Sequence, residues 1–174
     1  MSINDFKNNI TGGGARSNRF EVVIEFPAFA GGSEEIRKTA FLTTSTSLPG
    51  SALGVIEQFY RGRVLKLAGD RTFEDWSVSF LNDTDFALRD AFERWHNAIN
   101  SYNTNTSSLS PDDYLVTVSV HQLNGADERI KTYNLLNAFP STIGTIELSQ
   151  DSNNAVEQFD VSFSFSDMGS NTTT

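Results

Sequence analysis

The feature that most constrains the fold is a two-residue alternation of apolar and polar side chains, which recurs in separate segments of the chain. In the clearest segment one face carries the large apolar residues Phe159, Val161, Phe163 and Phe165. The same period is present in residues 20–26, 76–81 and 114–121. A period of two is typical of strands with one buried face. Such strands belong mostly to antiparallel sheets, so the pattern predicts a mainly β domain.

Further segments add strands and indicate how they are connected. Residues 39–47 are rich in strand-forming side chains and are followed by a Pro-Gly turn. Residues 54–60 and 61–67 predict two extended segments joined in a hairpin at an Arg-Gly pair. The Asn-Gly pair at 124–125 predicts a two-residue type I′ turn. Its return strand is expected to cover residues 129–136.

One segment, residues 83–100, has the period of a helix instead. Its apolar side chains recur at spacings of three and four residues and form one stripe: Leu88, Ala91, Phe92, Trp95 and Ile99. The helix is expected to cover one face or end of the sheet. The predicted fold class is therefore mainly β, an antiparallel β-barrel or sandwich with one flanking α-helix.

The 174 residues fit one domain, which we place at residues 19–167. Residues 1–18 are polar and contain three consecutive glycines, so we predict a flexible N-terminal arm. Residues 168–174 are small and polar, and we predict a disordered tail.

Composition argues against catalysis and against a site for a cofactor or metal. The chain has no cysteine and only two histidines, His96 and His121, which are far apart and are both expected at the surface or its boundary. No nucleophile elbow, phosphate-binding loop or calcium loop is present. We expect a non-enzymatic protein without cofactors. The chain lacks the features of a signal peptide or membrane span, so we expect synthesis and assembly in a cytoplasm.

The charge is acidic overall and unevenly distributed. The net charge of −9 comes from 13 basic and 22 acidic residues. Because binding to nucleic acid requires basic surface, this charge argues against a nucleic-acid-binding protein. Four basic residues fall within eleven positions: Arg61, Arg63, Lys66 and Arg71. No Lys or Arg follows Lys131, while acidic residues continue. Two interpretations remain open: an ordinary solvated surface, or opposite patches that join copies head to tail.

The segment from Ala68 to Trp76, AGDRTFEDW, strongly resembles a motif of tail tube proteins from contractile-tailed bacteriophages of the myovirus type. The residues that follow it, to Asp83, resemble the family's continuation. Further blocks resemble the family in the same order: residues 15–20 (ARSNRF), 139–144 (FPSTIG) and 151–161, which begins DSNN. The resemblance covers residues 15–166.

The resemblance implies a subunit of a tail tube, in the virion, assembled from a small β-barrel or sandwich with a flanking helix. Six copies would form a ring by joining their sheets around a lumen, and rings would stack into a conduit for viral DNA, which passes without specific binding. A sheath protein, a baseplate and a tail terminator are the implied partners. A hairpin over residues 48–75 is expected to reach neighbouring subunits.

On this basis we expect the subunit contacts to involve the hairpin with its basic cluster, and the DSNN segment. The candidate contact residues are Arg61, Arg63, Lys66, Asp70, Arg71, Thr72, Phe73, Asp75, Trp76, Asp151, Asn153 and Asn154.

Three alternatives share part of this evidence. A tube of a contractile injection or secretion system would have the same fold but carry protein effectors. A baseplate tube-initiator protein would share the fold without polymerising alone. A monomeric carbohydrate-binding β-sandwich would need exposed aromatic platforms, whereas most aromatic residues here lie on predicted core faces.

Overall fold

The computed structural model describes residues 2–10, 12, 14–151 and 153–173, and within this part of the chain it contains four helices and nine strands. The helices are α1 (Ile3–Asn9), α2 (Ser33–Leu42), α3 (Ala87–Ile99) and α4 (Pro111–Tyr114). The strands are β1 (Phe20–Ile24), β2 (Thr43–Thr46), β3 (Ala52–Tyr60), β4 (Arg63–Thr72), β5 (Trp76–Leu81), β6 (Val116–Leu123), β7 (Arg129–Ile143), β8 (Gln158–Ser164) and β9 (Asp167–Ser170).

The long strand β7 joins two antiparallel sheets. Its first part pairs with β6 and β9, and β6 pairs with β1, which makes the first sheet. Its last part, residues 139–143, pairs with β8, and the order continues through β5 to β2, which makes the second sheet. Asn137 takes a positive φ of 53° between the two parts, where the pairing passes from one sheet to the other.

The two sheets enclose one apolar core, and α3 packs into it. The inward side chains of both sheets belong to a single buried cluster. Phe92 of α3 lies in the middle of this cluster, with its ring centroid 5.1–6.4 Å from those of Phe26, Phe80, Trp95, Phe159 and Phe163. Rings at such separations add to the energy of burial. The predicted fold class, mainly antiparallel β with a flanking helix, is confirmed.

The predicted helix over 83–100 is present, with its regular part at Ala87–Ile99. The carboxylate of Asp85 accepts a hydrogen bond from the amide of Ala87 at 2.9 Å and so satisfies one of the free amides at the helix start. Lys38 on α2 contacts both Asp85 and Asp83. The hydrogen bond to Asp85 and, to a smaller extent, that to Asp83 raise the pKa of Lys38. The three charges connect α2 to the start of α3.

The strand predicted over 39–47 is partly wrong, because its first four residues belong to the additional helix α2. In this helix Thr39 contacts the outer edge of β1. The hydroxyl of Thr39 is fully buried, lies 3.3 Å from the carbonyl oxygen of Val22 and accepts from the amide of Ile24 at 3.4 Å. A strand at this position would lose that contact.

The two-residue turn predicted at 124–125 is also wrong, since five residues, 124–128, connect β6 to β7. The side-chain oxygen of Asn124 accepts from the amides of Ala126 and Glu128 at 2.8 and 3.0 Å. Asp127 takes the positive φ, 60°, that the prediction assigned to the Asn-Gly pair. A side-chain hydrogen bond of this kind stabilises a longer turn.

The two chain ends differ from a purely flexible description. Residues 168–174 were predicted to be disordered, but Asp167–Ser170 pairs with β7 as strand β9; Thr174 lies outside the described residues. In the predicted arm, α1 has no buried residue and begins at a capping box formed by Ser2 and Asp5. Met1, Thr11 and Gly13 lie outside the described residues, and the flexibility of the arm stays a prediction.

Replacing Thr39 with valine is expected to lower the free energy of unfolding by about 1–3 kcal/mol, because the buried amide of Ile24 loses its acceptor while the volume is kept. Urea unfolding followed by tryptophan fluorescence measures the change. Thr145→Val, at an exposed position, is the control and should change stability little. Equal stabilities of the two variants would show that α2 does not stabilise the edge of β1 through this hydroxyl.

Candidate functional site

Strands β3 and β4 form a two-stranded sheet of their own, separate from the two sheets of the body. Arg61 and Gly62 connect them with φ values of 47° and 77°. Two consecutive positive φ angles are typical of a type I′ turn, the connection that suits the twist of a tight hairpin. The predicted hairpin at the Arg-Gly pair is therefore confirmed, and its turn type is now defined.

Both faces of this hairpin expose large apolar side chains to water. On one face Phe59 lies opposite Val64, and Val55 lies opposite Ala68. On the other face the paired strands bring together Ile56, Leu67, Leu65 and Tyr60. Phe59 is 74% exposed and Tyr60 is 70% exposed.

A hairpin of this kind is not expected to be stable on its own in water. Contiguous exposed apolar surface marks a site of protein association. Because the apolar side chains lie on both faces, covering only one face leaves the other in water. Both faces of the hairpin are therefore candidate contact surfaces.

The basic cluster of the hairpin is largely engaged within the hairpin itself. Lys66 lies 3.4 Å from the carboxylate of Glu57 on the opposite strand. The guanidinium of Arg61 lies 5.2 Å from the centroid of the Tyr60 ring. Exposed pairs of this kind contribute little to stability. The pair of Lys66 with Glu57 nevertheless reduces the charge that is free to attract an acidic surface.

The AGDRT segment forms the second half of β4 and the root of the hairpin. Thr72 pairs with Ala52, and Arg71 donates to the hydroxyl of Ser51 at 2.7 Å. Asp70 lies beside Gly54, where a β-bulge shifts the pairing. These contacts keep the two strands together where they leave the body.

The residues after β4 connect the hairpin to the core. The ring of Phe73 lies 5.2 Å from that of Phe165, and Asp75 accepts from the hydroxyl of Ser141 at 3.1 Å. Trp76 is only 2% exposed, and its indole N–H donates to the carbonyl of Ser47 at 2.7 Å. Trp76 was predicted as a contact residue, but it is buried in its own subunit and supports the hairpin from inside.

The DSNN segment lies in the connection between β7 and β8, residues 144–157. Asp151, Asn153 and Asn154 are exposed there, while Ser152 lies outside the described residues. The amide of Asn153 donates to the carbonyl of Asp151 at 3.0 Å, so this hydrogen bond is local.

The same connection also carries exposed apolar side chains that were not among the predicted contact residues. Leu148 is 79% exposed, and Val156 is exposed as well. In the sequence, the only indication that these residues contact another chain is that they are apolar residues in a polar stretch without periodicity. They make this connection a second candidate for contact with another chain.

Residues 15–169 match the family model described as phage tail tube protein. The chain is 32% identical over 160 residues to the tail tube protein of Serratia phage KSP90, which covers 91% of this chain and 90% of that protein. The chain belongs to the phage tail tube protein family. The tail tube protein gp19 of Enterobacteria phage T4 is 28% identical over 148 residues, with 84% and 86% of the two chains covered.

Two solved structures share the fold of this tail tube protein. A chain in the baseplate of the anti-feeding prophage superposes with a TM-score of 0.63 at 18% identity and covers 90% of this chain and 95% of that one. A chain in the extended sheath–tube complex of the PVC contractile injection system gives 0.57 at 16% identity and covers 98% and 97%. At these identities the likeness shows the fold alone.

The protein is thus a structural component of the tail of a contractile-tailed phage. The phage interpretation is favoured over an injection-system tube, because the curated relatives are phage tail tube proteins. No helix in the described part of the chain is long and apolar enough to cross a membrane.

In the part of the chain that the structure describes, no three His, Asp or Glu side chains come together in a way that could hold a metal ion. His121 was predicted at the surface or its boundary, and it is buried, with Nδ1 2.9 Å from the hydroxyl of Thr132. Burial lowers the pKa of His121, since it penalises the charged imidazolium.

Proposed function

We propose that this tail tube protein assembles into hexameric rings that stack into a hollow tube, and that viral DNA passes through the lumen without specific binding. The observation that carries the proposal is the hairpin of β3 and β4, because both of its faces expose large apolar side chains. A neighbouring copy of the same chain supplies the missing cover.

The dimensions of the hairpin support contact between copies. Nine residues of β3 extend about 30 Å at roughly 3.3 Å per residue, far enough to lie across a neighbouring subunit. The hairpin of one copy contacts a different surface on the next copy, so the contact is head to tail. When each such contact is displaced along an axis, copies can be added without limit, and the result is a stack.

The candidate contact residues divide between two elements under this proposal. Arg63, with Arg61 at the turn, supplies the charge that faces acidic groups of an adjacent copy. Asp151, Asn153 and Asn154 lie in the second contact element, together with Leu148. The apolar faces contribute most of the association energy, because the other basic side chains already have partners in the hairpin.

Charge supports the passage of DNA. Each contact between a cation and a phosphate adds affinity and would slow transit through the lumen. The net charge of −9 keeps the subunit as a whole from attracting DNA. The partners are a surrounding sheath protein, a baseplate on which the tube begins and a terminator at its end. The same fold occurs in chains from a baseplate and from a sheath–tube complex.

Negative-stain electron microscopy of the purified protein at increasing concentration tests the proposal. We expect six-membered rings or hollow rods of uniform width, with a sharp onset in concentration. Dispersed monomers at every concentration would overturn self-assembly and would favour a baseplate initiator, which shares the fold but needs a template.

A further inference from the structure

The turn between β6 and β7 contains the single Asn-Gly pair of the sequence, Asn124 and Gly125. Asparagine before glycine is the pair most prone to spontaneous deamidation, because glycine has no side chain to hinder attack by its own amide nitrogen. Asparagine is for this reason one of the chemically labile residues of proteins. A subunit of a virion tail is not replaced after assembly, so damage of this kind accumulates in it.

Deamidation begins when the backbone nitrogen of Gly125 bonds to Cγ of Asn124 and the bond from Cγ to Nδ2 breaks. The attacking nitrogen loses its proton, the Nδ2 group leaves as ammonia with that proton, and a five-membered cyclic imide is formed. Water then opens the imide at one of its two carbonyl groups, which gives either aspartate or isoaspartate. The net change is hydrolysis of a side-chain amide, without oxidation or reduction.

The attacking nitrogen is accessible in the folded subunit. Gly125 is exposed, and beyond its chain neighbours no heavy atom lies within 4 Å of the place that a Cβ would occupy. Within the described residues the amide of Gly125 donates no hydrogen bond. The nucleophile of the reaction is therefore neither covered nor engaged.

The side-chain amide of Asn124, in contrast, is held by three hydrogen bonds. Its Oδ1 accepts from the amides of Ala126 and Glu128 at 2.8 and 3.0 Å, and its Nδ2 donates to the carboxylate of Glu128 at 2.9 Å. The backbone is fixed as well, since the amide of Asn124 donates to the carbonyl of Glu128 at 2.9 Å. Ring closure moves Cγ onto the nitrogen of Gly125 and expels Nδ2, so the bond from Nδ2 to Glu128 has to break.

We propose that Asn124 is the site of spontaneous deamidation in this protein, and that the hydrogen bonds of its turn, with Glu128 as the principal partner, restrain the reaction in the folded subunit. The reaction then proceeds through local opening of the turn, at a rate set by how often these hydrogen bonds are broken. The site lies within one subunit, so it does not depend on the proposed ring assembly.

Either product alters a turn that connects two parts of the first sheet. Aspartate keeps an acceptor for the two amides, but it loses the donor to Glu128 and places a second carboxylate beside that side chain. Isoaspartate adds a methylene group to the backbone at the end of β6. There Asp127 forms an ion pair with Arg19, and the amide of Leu123 donates to the carbonyl of Arg19 at 2.9 Å. We expect isoaspartate to weaken the attachment of the segment before β1 to the sheet.

Peptide mapping by mass spectrometry of the full-length chain, incubated at neutral pH as dispersed subunits, measures deamidation at each asparagine. An isoaspartate-specific methyltransferase identifies the product. We expect Asn124 to react first in guanidinium chloride, and to react at least about 10-fold more slowly in the folded subunit. Glu128→Ala removes the acceptor of Nδ2 and should accelerate the reaction of the folded chain by roughly 3–10-fold. Gly125→Ala should nearly abolish the reaction, and the open space around Gly125 admits the added methyl group.

The matched control is Glu147→Ala, the same change at an exposed position in the connection of residues 144–157, which should leave the rate unchanged. Circular dichroism checks that each variant is folded. Equal rates for Glu128→Ala and the unmodified chain in guanidinium chloride would show that Glu128 acts through the fold. Equal rates at Asn124 in the folded and unfolded chain, or no acceleration in folded Glu128→Ala, would overturn the restraint. A faster reaction at another asparagine of the unfolded chain would overturn the assignment of the site.

Discussion

Replacing Phe59 with aspartate is expected to hinder tube assembly strongly and to leave the subunit folded. Phe59 is exposed on one face of the free hairpin, and burying a phenylalanine contributes about 1.5–3 kcal/mol. The substitution loses that energy and adds the cost of desolvating a carboxylate. We expect the concentration at which tubes form to rise at least about 100-fold, measured by sedimentation and electron microscopy. Leu65→Asp, on the opposite face, should have an effect of similar size.

The control for both hairpin variants is Tyr102→Asp. Tyr102 is a large aromatic side chain that is 65% exposed in the loop after α3. Its replacement should leave the onset of assembly near that of the unmodified chain. Circular dichroism should show all three variants to be folded. Normal tubes from both F59D and L65D would contradict the assignment of the hairpin as the assembly surface.

Replacing Phe92 with alanine is expected to destabilise the subunit by about 3–5 kcal/mol, a large part of the stability of a domain of this size. The reason is the position of Phe92 among five other aromatic rings of the core, which cannot close over the space it leaves. Thermal and urea unfolding of the dispersed subunit measure the loss.

Phe41→Ala is the matched control, because it makes the same chemical change at a side chain that is 77% exposed. We expect its free energy of unfolding to stay within about 0.5 kcal/mol of the unmodified chain. A loss below about 1 kcal/mol for F92A would mean that the core around α3 adjusts to fill the space, and that α3 contributes less to the fold than its contacts indicate.

The body strands that were predicted most clearly are those in which one face is buried in a regular alternation. The strand of Trp76–Leu81 and that of Gln158–Ser164 follow this rule closely. The helix Ser33–Leu42 was not predictable in the same way. Phe41, its largest apolar side chain, is exposed, and the helix is held by contacts with distant parts of the chain, such as that of Thr39 with β1. A contact between distant parts of the chain leaves no local pattern.

The candidate site was located by resemblance and corrected by the structure. The basic residues of the hairpin were predicted to contact a neighbouring copy. In the structure Lys66 has a partner within the hairpin and Arg71 has one at its root. The apolar residues of the hairpin do not alternate with polar ones, as Val55 next to Ile56 shows. Because apolar residues do not alternate with polar ones, they lie on both faces of the hairpin. This feature could be seen in the sequence. The burial of Trp76 depends on how the hairpin is connected to the body, and the spacing of residues in the sequence does not show this.

The free-standing hairpin also has a consequence for the timing of assembly. A hairpin with apolar side chains exposed on both faces is stabilised by the neighbouring copies that contact it. The first copies to associate therefore lose the conformational entropy of their hairpins while they form few contacts. A copy that joins an existing end finds a surface already formed. Under the proposed assembly we therefore expect slow nucleation and fast elongation, with the number of tubes in a cell set by the templates that start them.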